Sequence, residues 1–437
     1  MATNLFTPIL NIKTRTPHFF NGRLLSGEAM TDEQRAQKVA RELLAEAVGD
    51  GVVYGLTIEK KSGADITNPV VTVKSGVAIN RCGEILLLAN DTDVQLVRPA
   101  HVATPPKTLF GLCDPPIADS SCNSDFQTLQ PPQSGTYVAD DGVYLLTICS
   151  IGAGEGLTTV SGLGDTPRGC NIKYVVDAVE FRLLELPVDS ATRADTAHLR
   201  NRVAYACFGV DDMRDFATDP FGANADAEPH TLLDDIRDTQ LTDCDVPLAV
   251  LYWTVSGGVV FVDLWAVRRR VTRTNDASSF ALDDLRLANA EAMRDQFLAH
   301  IDAIRATAGS LSTLKARDWF RWLPPAAHVP LASGTGATGF DVQSFFDGKT
   351  WNRHATWPSP VYTEGGMVET LLRDSAKYPP IDLQDKEMIW LYSVRENMRA
   401  LHTGQSVQPY VVFANANLPF YGEARFDRAH FNYANFV

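Results

Sequence analysis

Apolar residues near the N-terminus follow a helical spacing. Between Glu28 and Val48 they recur among Glu, Gln, Arg and Lys, which predicts a helix with one buried stripe at Met30, Val39, Leu43, Leu44 and Val48. Gly49-Asp50-Gly51 ends this pattern. Short apolar runs punctuated by Gly or Asn follow it, and they predict a small β module with strands near 52–58, 70–73, 77–79 and 85–88.

The middle of the chain alternates apolar runs with long polar stretches. Residues 99–142 and 152–169 are rich in Gly, Pro, Ser or Asp, which predicts two long loops. The apolar runs predict strands at 143–151 and 174–186, and a hairpin from 247 to 267 that turns at Ser256-Gly257-Gly258. Two short helices are predicted at 198–205 and 231–241. Together these elements predict a β-sandwich-like central domain.

A helical period returns at Ser279 and continues to Thr307, which predicts a long amphipathic helix. The residues after it are rich in proline and in aromatic side chains such as Trp319, Trp322 and Trp351, which predicts a β module with aromatic anchors. The predicted fold class is therefore α+β, β-rich and multidomain. Its predicted units are 1–98, 99–274, 275–318 and 319–437.

Length and charge narrow the possible functions. A chain of 437 residues with 45% hydrophobic content is long enough for more than one core. Its formal charge of −14 argues against a nucleic-acid partner, and Arg268-Arg269-Arg270 is interpreted as a solvated strand end. The first residues lack a signal-peptide pattern and no apolar run approaches a membrane span, so we expect a soluble protein made in the cytoplasm.

Motifs that would indicate catalysis are not found in the sequence. It contains no P-loop, GxSxG, HExxH or GxGxxG motif in the required context. Asp234, Asp235 and Asp238 have a DDxxD spacing, but without a second such motif they are interpreted as a solvated helix face. No catalytic residue, cofactor or metal ligand is therefore assigned.

The seven cysteines are odd in number and contain no CxxC pair. Cys149 and Cys207 lie within apolar runs, which predicts buried thiols. Two interpretations stay open for Cys82, Cys113, Cys122 and Cys170: they are free thiols, or loops bring them together as a zinc site.

Several stretches resemble proteins of phage-tail-like contractile injection systems. HFFNGRLL at 18–25, GVVYGL at 51–56 and VKSGVAINRCGEI at 73–85 are similar to the ring-forming or fibre-bearing modules of tail and baseplate proteins. Looser similarity occurs at 169–172, 246–249, 323–326 and 422–427. The resemblance implies a subunit at the baseplate, on a fibre or at the cap, and it implies no catalytic residues.

The leading hypothesis is thus a non-enzymatic structural subunit of such a particle, either released from the cell or docked at a membrane. It would self-associate and contact baseplate, tube, sheath or cap proteins. Candidate interface residues are the aromatic and terminal ones: Phe19, Phe20, Trp351, Trp357, Phe431, Tyr433 and Phe436. The alternatives are a tail protein that binds a cell-surface glycan or receptor through its aromatic C-terminal region, and a hydrolase with an unrecognised acid pair.

Overall fold

The computed structural model describes residues 16–24, 26–61, 69–96, 141–159, 170–218, 229–237, 239–272, 279–332, 339–351, 361–385 and 388–418. Within these ranges the chain is a mixed α+β, multidomain protein with eight α-helices and several sheets, most of whose strands pair antiparallel. None of these helices is long and apolar enough to cross a membrane.

The predicted N-terminal helix and β module are confirmed. Helix α1, Gly27–Val48, begins after Ser26, whose hydroxyl oxygen accepts a hydrogen bond from the Ala29 N–H at 3.1 Å. Six strands follow in two antiparallel sheets with the orders β1-β4-β5 and β2-β3-β6. Their bounds are Gly51–Gly55 (β1), Ile58–Lys60 (β2), Val70–Val73 (β3), Gly76–Ile79 (β4), Ile85–Leu88 (β5) and Thr92–Gln95 (β6).

Helix α1 packs closely against the turn between β4 and β5. Gly83 in this turn has a φ of +75°, and a Cβ atom there would overlap the carbonyl oxygen of Glu42. The Lys38 ammonium lies 3.5 Å from the carboxylate of the neighbouring Glu84. Only glycine fits the turn at this position, both for its backbone angle and for its distance from the helix.

A four-stranded antiparallel sheet of order β10-β9-β7-β8 forms the centre of the molecule. Its strands are Gly142–Thr159 (β7), Cys170–Glu185 (β8), Asp245–Thr254 (β9) and Gly258–Asp263 (β10). The predicted hairpin is therefore confirmed. Helices Ser190–Ala194 (α2), Leu199–Phe208 (α3) and Val210–Thr218 (α4) lie between β8 and β9 in the chain.

Two predictions for this region were wrong. The loop predicted over 152–169 is strand as far as Thr159, and strand again from Cys170, because β8 pairs with β7 along this whole length. The glycines at 152, 154 and 156 interrupt the apolar alternation that would have predicted a strand there. Among the described residues of the helix predicted at 231–241, the only helical segment is a 3-10 turn at Asp234–Ile236. There Asp234 accepts hydrogen bonds from the N–H and hydroxyl of Thr231 at 2.8 and 2.7 Å.

Both faces of the central sheet are buried where β7 pairs with β9, and successive residues of β7 alternate between them. Tyr144, Leu146 and Ile148 pack into one core with apolar residues of the N-terminal module, among them Leu56, Val71 and Val73. Val143 and Leu145 face the opposite core, which contains residues of α3. The N-terminal module and the central sheet therefore share one hydrophobic core.

The predicted long helix is confirmed as α5, Ser279–Thr307. Its Phe297, Ile301 and Ile304 pack into the C-terminal core, while Ala292 and Met293 pack into the core of the central sheet. The remaining elements are Trp322–Leu323 (β11), Ala326–Pro330 (β12), Val342–Phe345 (α6), Thr350–Trp351 (β13), Val361–Thr363 (β14), Gly365–Ser375 (α7), Ile381–Asp382 (β15), Met388–Val394 (β16), Arg395–His402 (α8) and Tyr410–Asn415 (β17).

A five-stranded mixed sheet organises the C-terminal region, with β12, β17 and β16 antiparallel and both β13 and β14 parallel to β16. Aromatic side chains fill its core: the ring centroids of Phe297 and Phe413 are 5.4 Å apart, and those of Phe346 and Phe413 are 5.6 Å apart. Of the aromatic residues that the sequence suggested as anchors, Trp322 and Trp351 are buried in the cores, and Trp319 is partly buried against the C-terminal one.

Candidate interaction surfaces

The aromatic residues proposed as interface anchors lie in different surroundings. Phe19 and Phe20 precede α1 and are exposed, Phe20 to 62%. Trp351 is only 6% exposed and belongs to the C-terminal core. Trp357, Phe431, Tyr433 and Phe436 lie outside the described residues. Of this set, the structure thus presents only the N-terminal pair on the surface of its described part.

A two-stranded projection, which the sequence did not predict, continues from the central sheet. The pairing of β7 with β9 ends at Cys149 and Asp245, whereas its pairing with β8 continues from Ser150 and Val179 to Thr159 and Cys170. We call residues 150–159 and 170–179 the β7–β8 ribbon. At about 3.3 Å per residue it is roughly 30 Å long.

Where its side chains are described, the β7–β8 ribbon is exposed on both faces from Tyr174 to Asp177. Four successive residues, Tyr174 to Asp177, are exposed, and successive strand residues point to opposite sides. Val175, which is 77% exposed, is paired with Gly154, which has no side chain to cover it. A Cβ atom on Gly152 would meet no other atom within 4 Å. The ribbon thus continues past the end of β9 with apolar side chains uncovered at Val175 and Val176.

Helix α1 presents its large apolar residues to the outside. Ala29, Ala36 and Ala45 are buried, whereas Met30, Leu43, Leu44 and Val48 are exposed, Leu44 to 69%. The predicted buried stripe was therefore wrong for these four residues. The buried residues of the helix are alanines, whose small side chains suit its close approach to the turn at Gly83.

The sheet β1-β4-β5 also has an apolar outer face. Tyr54, Val77 and Leu87 are paired across its three strands, and Tyr54 and Leu87 are exposed. Ile85 is exposed on the same strand as Leu87, and both alternate with the buried Leu86 and Leu88. This alternation is typical of a sheet with one buried face, but here the second face is apolar as well.

Two residues of the basic run, Arg268 and Arg269, bind interior groups instead of forming a solvated strand end. The guanidinium of Arg268 donates hydrogen bonds to the carbonyl oxygens of Leu56 and Gly55 at 3.1 and 2.6 Å. That of Arg269 lies 4.4 Å from the ring centroid of Phe208, and its burial lowers its pKa to about 10. The interpretation was wrong for these two residues, because buried carbonyl groups at the joint between two sheets require donors.

Two of the cysteine predictions are confirmed. Cys149 and Cys207 are buried, and burial raises the pKa of each thiol to about 12. Cys113, Cys122 and the side chain of Cys170 lie outside the described residues. Cys82 lies beside Cys244, a residue that the sequence did not single out. Within the described part of the chain, no three His, Cys, Asp or Glu side chains are arranged to hold a metal ion.

No protein-family model matches the sequence, and no curated protein matches it. Its function is therefore inferred from its own residues and surfaces.

Proposed function

We propose that the chain is a non-enzymatic structural subunit of a contractile phage-tail-like injection particle. It would work through self-association and through contacts with baseplate, tube, sheath or cap proteins, in a particle that is released from the cell or docked at a membrane. The stretches that carry the resemblance, at 51–56 and 73–85, contribute β1, β4 and the turn before β5 of the N-terminal module. A rigid β scaffold of this kind suits a subunit that must position neighbours.

The observation that carries the proposal is the β7–β8 ribbon. A two-stranded ribbon is marginally stable on its own in water, and apolar side chains on both of its faces increase the cost of leaving it free. Strand β9 pairs with one edge of β7 as far as Cys149. From Ser150 onward, no described strand pairs with that edge. Such an edge can accept a strand from another subunit, whose main chain would complete the hydrogen bonds.

The ribbon gives a direct test. We expect Val175→Lys combined with Val176→Lys to weaken association by at least about tenfold, because it places two charges in a contact that excludes water. Folding should be preserved, since both side chains are exposed in the isolated chain. The readout is light scattering after size-exclusion chromatography, for the chain alone and mixed with the products of neighbouring genes.

Val260→Lys is the matched control. Val260 is 54% exposed on β10, the edge strand at the other side of the same sheet. Association should persist in this variant. A wild-type chain that stays monomeric alone and with every neighbouring product would contradict the structural role, and association of the double variant at wild-type strength would exclude the ribbon as the contact.

The two alternatives have less support from the described residues. Glycan binding through the C-terminal aromatics needs exposed rings, but Trp322 and Trp351 are buried. A hydrolase of the type considered needs two carboxylic acids with raised pKa in one cleft. In the part of the chain that the structure describes, Asp295 is the one carboxyl with a raised pKa, and burial is the main cause.

A further inference from the structure

Two turns from distant parts of the chain meet beside the central sheet. One joins β4 to β5 and contains Cys82; the other precedes β9 and contains Cys244. The N–H of Arg81 donates to the carbonyl oxygen of Asp243 at 3.2 Å, and the side-chain amide of Asn80 donates to the carbonyl oxygen of Cys244 at 3.3 Å. These bonds place the two cysteines next to each other.

Each turn is also fixed internally. In the first, the N–H groups of Gly83 and Glu84 donate to the carbonyl and side-chain oxygens of Asn80 at 3.0 and 2.8 Å. In the second, the N–H of Asp245 donates to the carbonyl oxygen of Thr242 at 3.0 Å, and the N–H of Thr242 donates to the Asp245 carboxylate at 2.9 Å. Little backbone movement is therefore available to separate the two residues.

The contacts between the two turns hold Cys82, which is exposed, beside Cys244, which is half-buried. Cys149 and Cys207, by contrast, are buried inside the protein. We propose that Cys82 and Cys244 form a disulfide bond with each other when the protein reacts with a low-molecular-weight disulfide. Closure would tie the N-terminal module covalently to the central sheet. This disulfide does not depend on the particle role proposed above.

The reaction is a two-step thiol–disulfide exchange. The Cys82 thiolate attacks one sulfur of the small disulfide, which forms a mixed disulfide and releases one thiolate. Cys244 then loses its proton to solvent and attacks the Cys82 sulfur, which forms the Cys82–Cys244 bond and releases the second thiolate. Overall, the protein dithiol is oxidised by two electrons, and one small disulfide is reduced to two thiols.

The surroundings assign the roles and set the pH dependence. Burial raises the pKa of both thiols, that of Cys244 to about 12, and the neighbouring Cys244 side chain partly offsets this effect at Cys82. Cys82 is therefore the attacking thiol. Acidic groups near the pair favour the protonated forms: Glu46, Glu84, Asp243 and Asp245. Three of these acids are themselves paired with cations, Glu84 with Lys38, Asp243 with Arg237 and Asp245 with Arg182. Closure should be slow at neutral pH and faster by up to about tenfold for each pH unit above it.

The test uses the full-length protein, reduced and then incubated with oxidised glutathione as the probe. Peptide mapping by mass spectrometry without reduction should find the Cys82 peptide joined to the Cys244 peptide, with the loss of two hydrogen atoms. The oxidised protein should melt roughly 3–5 °C above the reduced one, because the bond closes a long loop in the unfolded chain. Cys82→Ser, a near-isosteric change at an exposed position, should abolish this difference.

Cys244→Ser separates the attacking thiol from the resolving one. We expect this variant to stop at a stable glutathione adduct on Cys82, whereas Cys82→Ser should leave Cys244 unmodified. A stable adduct on Cys82 in the wild-type protein, without the joined peptide, would show that the two sulfurs cannot meet and would overturn the proposal. A disulfide from Cys82 to a different cysteine would overturn it too.

Discussion

His300 is a buried titratable residue near the C-terminal end of α5. Its ring centroid lies 4.7 Å from that of Phe320, and its Nδ1 atom has no hydrogen-bond partner among the described residues. Burial, aided by the charge of Arg200, lowers its pKa to about 3. The imidazole therefore stays neutral in the folded protein across the physiological pH range.

This lowered pKa predicts a pH dependence of stability. In the unfolded chain the imidazole takes up a proton below its ordinary pKa of 6.5, whereas the folded protein does not until about pH 3. As the pH is lowered through this window, the free energy of unfolding should therefore decrease, by up to about 1.4 kcal/mol per pH unit. Between pH 7 and pH 5, wild-type protein should lose about 2 kcal/mol more than His300→Leu, as measured by urea unfolding.

His328 provides the internal control for this experiment. It is half-buried on β12, and burial lowers its pKa as well, so it contributes acid sensitivity in the same direction. Because it is present in both proteins, the difference between them isolates His300. Equal losses in the two proteins would show that the imidazole at 300 is accessible to protons in the folded state.

Some residue-scale features could not be predicted from the sequence. The apolar runs around Cys149 and Cys207 correctly indicated burial, because burial of a strand or helix shows in its immediate neighbours. The interpretation of the arginine run at 268–270 was wrong because Arg268 binds carbonyl groups of Gly55 and Leu56, which lie more than 200 positions away in the sequence. For the same reason, the proximity of Cys82 to Cys244 has no local signal.

At the scale of elements, the contact between α1 and the β4–β5 turn depends on Gly83. Gly83→Ala introduces two penalties: a left-handed backbone angle for alanine, and overlap with the carbonyl oxygen of Glu42. We expect a loss of stability of about 3 kcal/mol, because backbone atoms on both sides would have to move. Chemical denaturation followed by circular dichroism measures this loss.

Gly404→Ala is the matched control for that contact. Gly404 has nearly the same backbone angle, with a φ of +79°, but a Cβ atom there would have nothing within 4 Å. Its substitution by alanine should lower the free energy of unfolding by only about 1 kcal/mol, which is the penalty of the left-handed backbone angle itself. If both variants lost the same stability, the close packing of α1 on the turn would be refuted.

Element types were more predictable than the faces they bury. The spacing from Ser279 to Thr307 gave α5 at its observed bounds, and the runs flanking Gly257 gave the β9–β10 hairpin. For α1 the period was correct but the buried face was not, because the face that packs against the module carries alanines instead of the larger apolar residues. The β7–β8 ribbon was missed because its glycine-rich strand is held by pairing with β8.

At the scale of the whole molecule, the hydrophobic cores do not follow the units predicted from the sequence. The N-terminal module and the central sheet share a core to which β7 contributes Tyr144 and Leu146 and β9 contributes Trp253. Helix α5 then joins the central core to the C-terminal one. A composition change at residue 98 indicates a boundary in the sequence, but it cannot show which core a strand belongs to.

This sharing predicts how fragments behave. A fragment of residues 1–98 should not fold alone, because Leu56, Val71 and Val73 would lose the sheet that covers them. Mixed or co-expressed with residues 99–437, it should regain structure and co-purify. Amide NMR spectra of the labelled fragment, alone and with its complement, measure this. A well-dispersed spectrum of the isolated fragment would show that the module has a sufficient core of its own.

The shared core also has a consequence for the order of synthesis. A chain emerging from the ribosome exposes β1 to β6 well before β7, and β9 follows only at residues 245–254. Until then, the apolar side chains that later face Tyr144 and Trp253 have no cover. Pairings between such distant segments fold slowly and leave intermediates that aggregate. We therefore expect the nascent N-terminal module to depend on chaperones until β9 has left the exit tunnel, and translation rate to affect the yield of soluble protein.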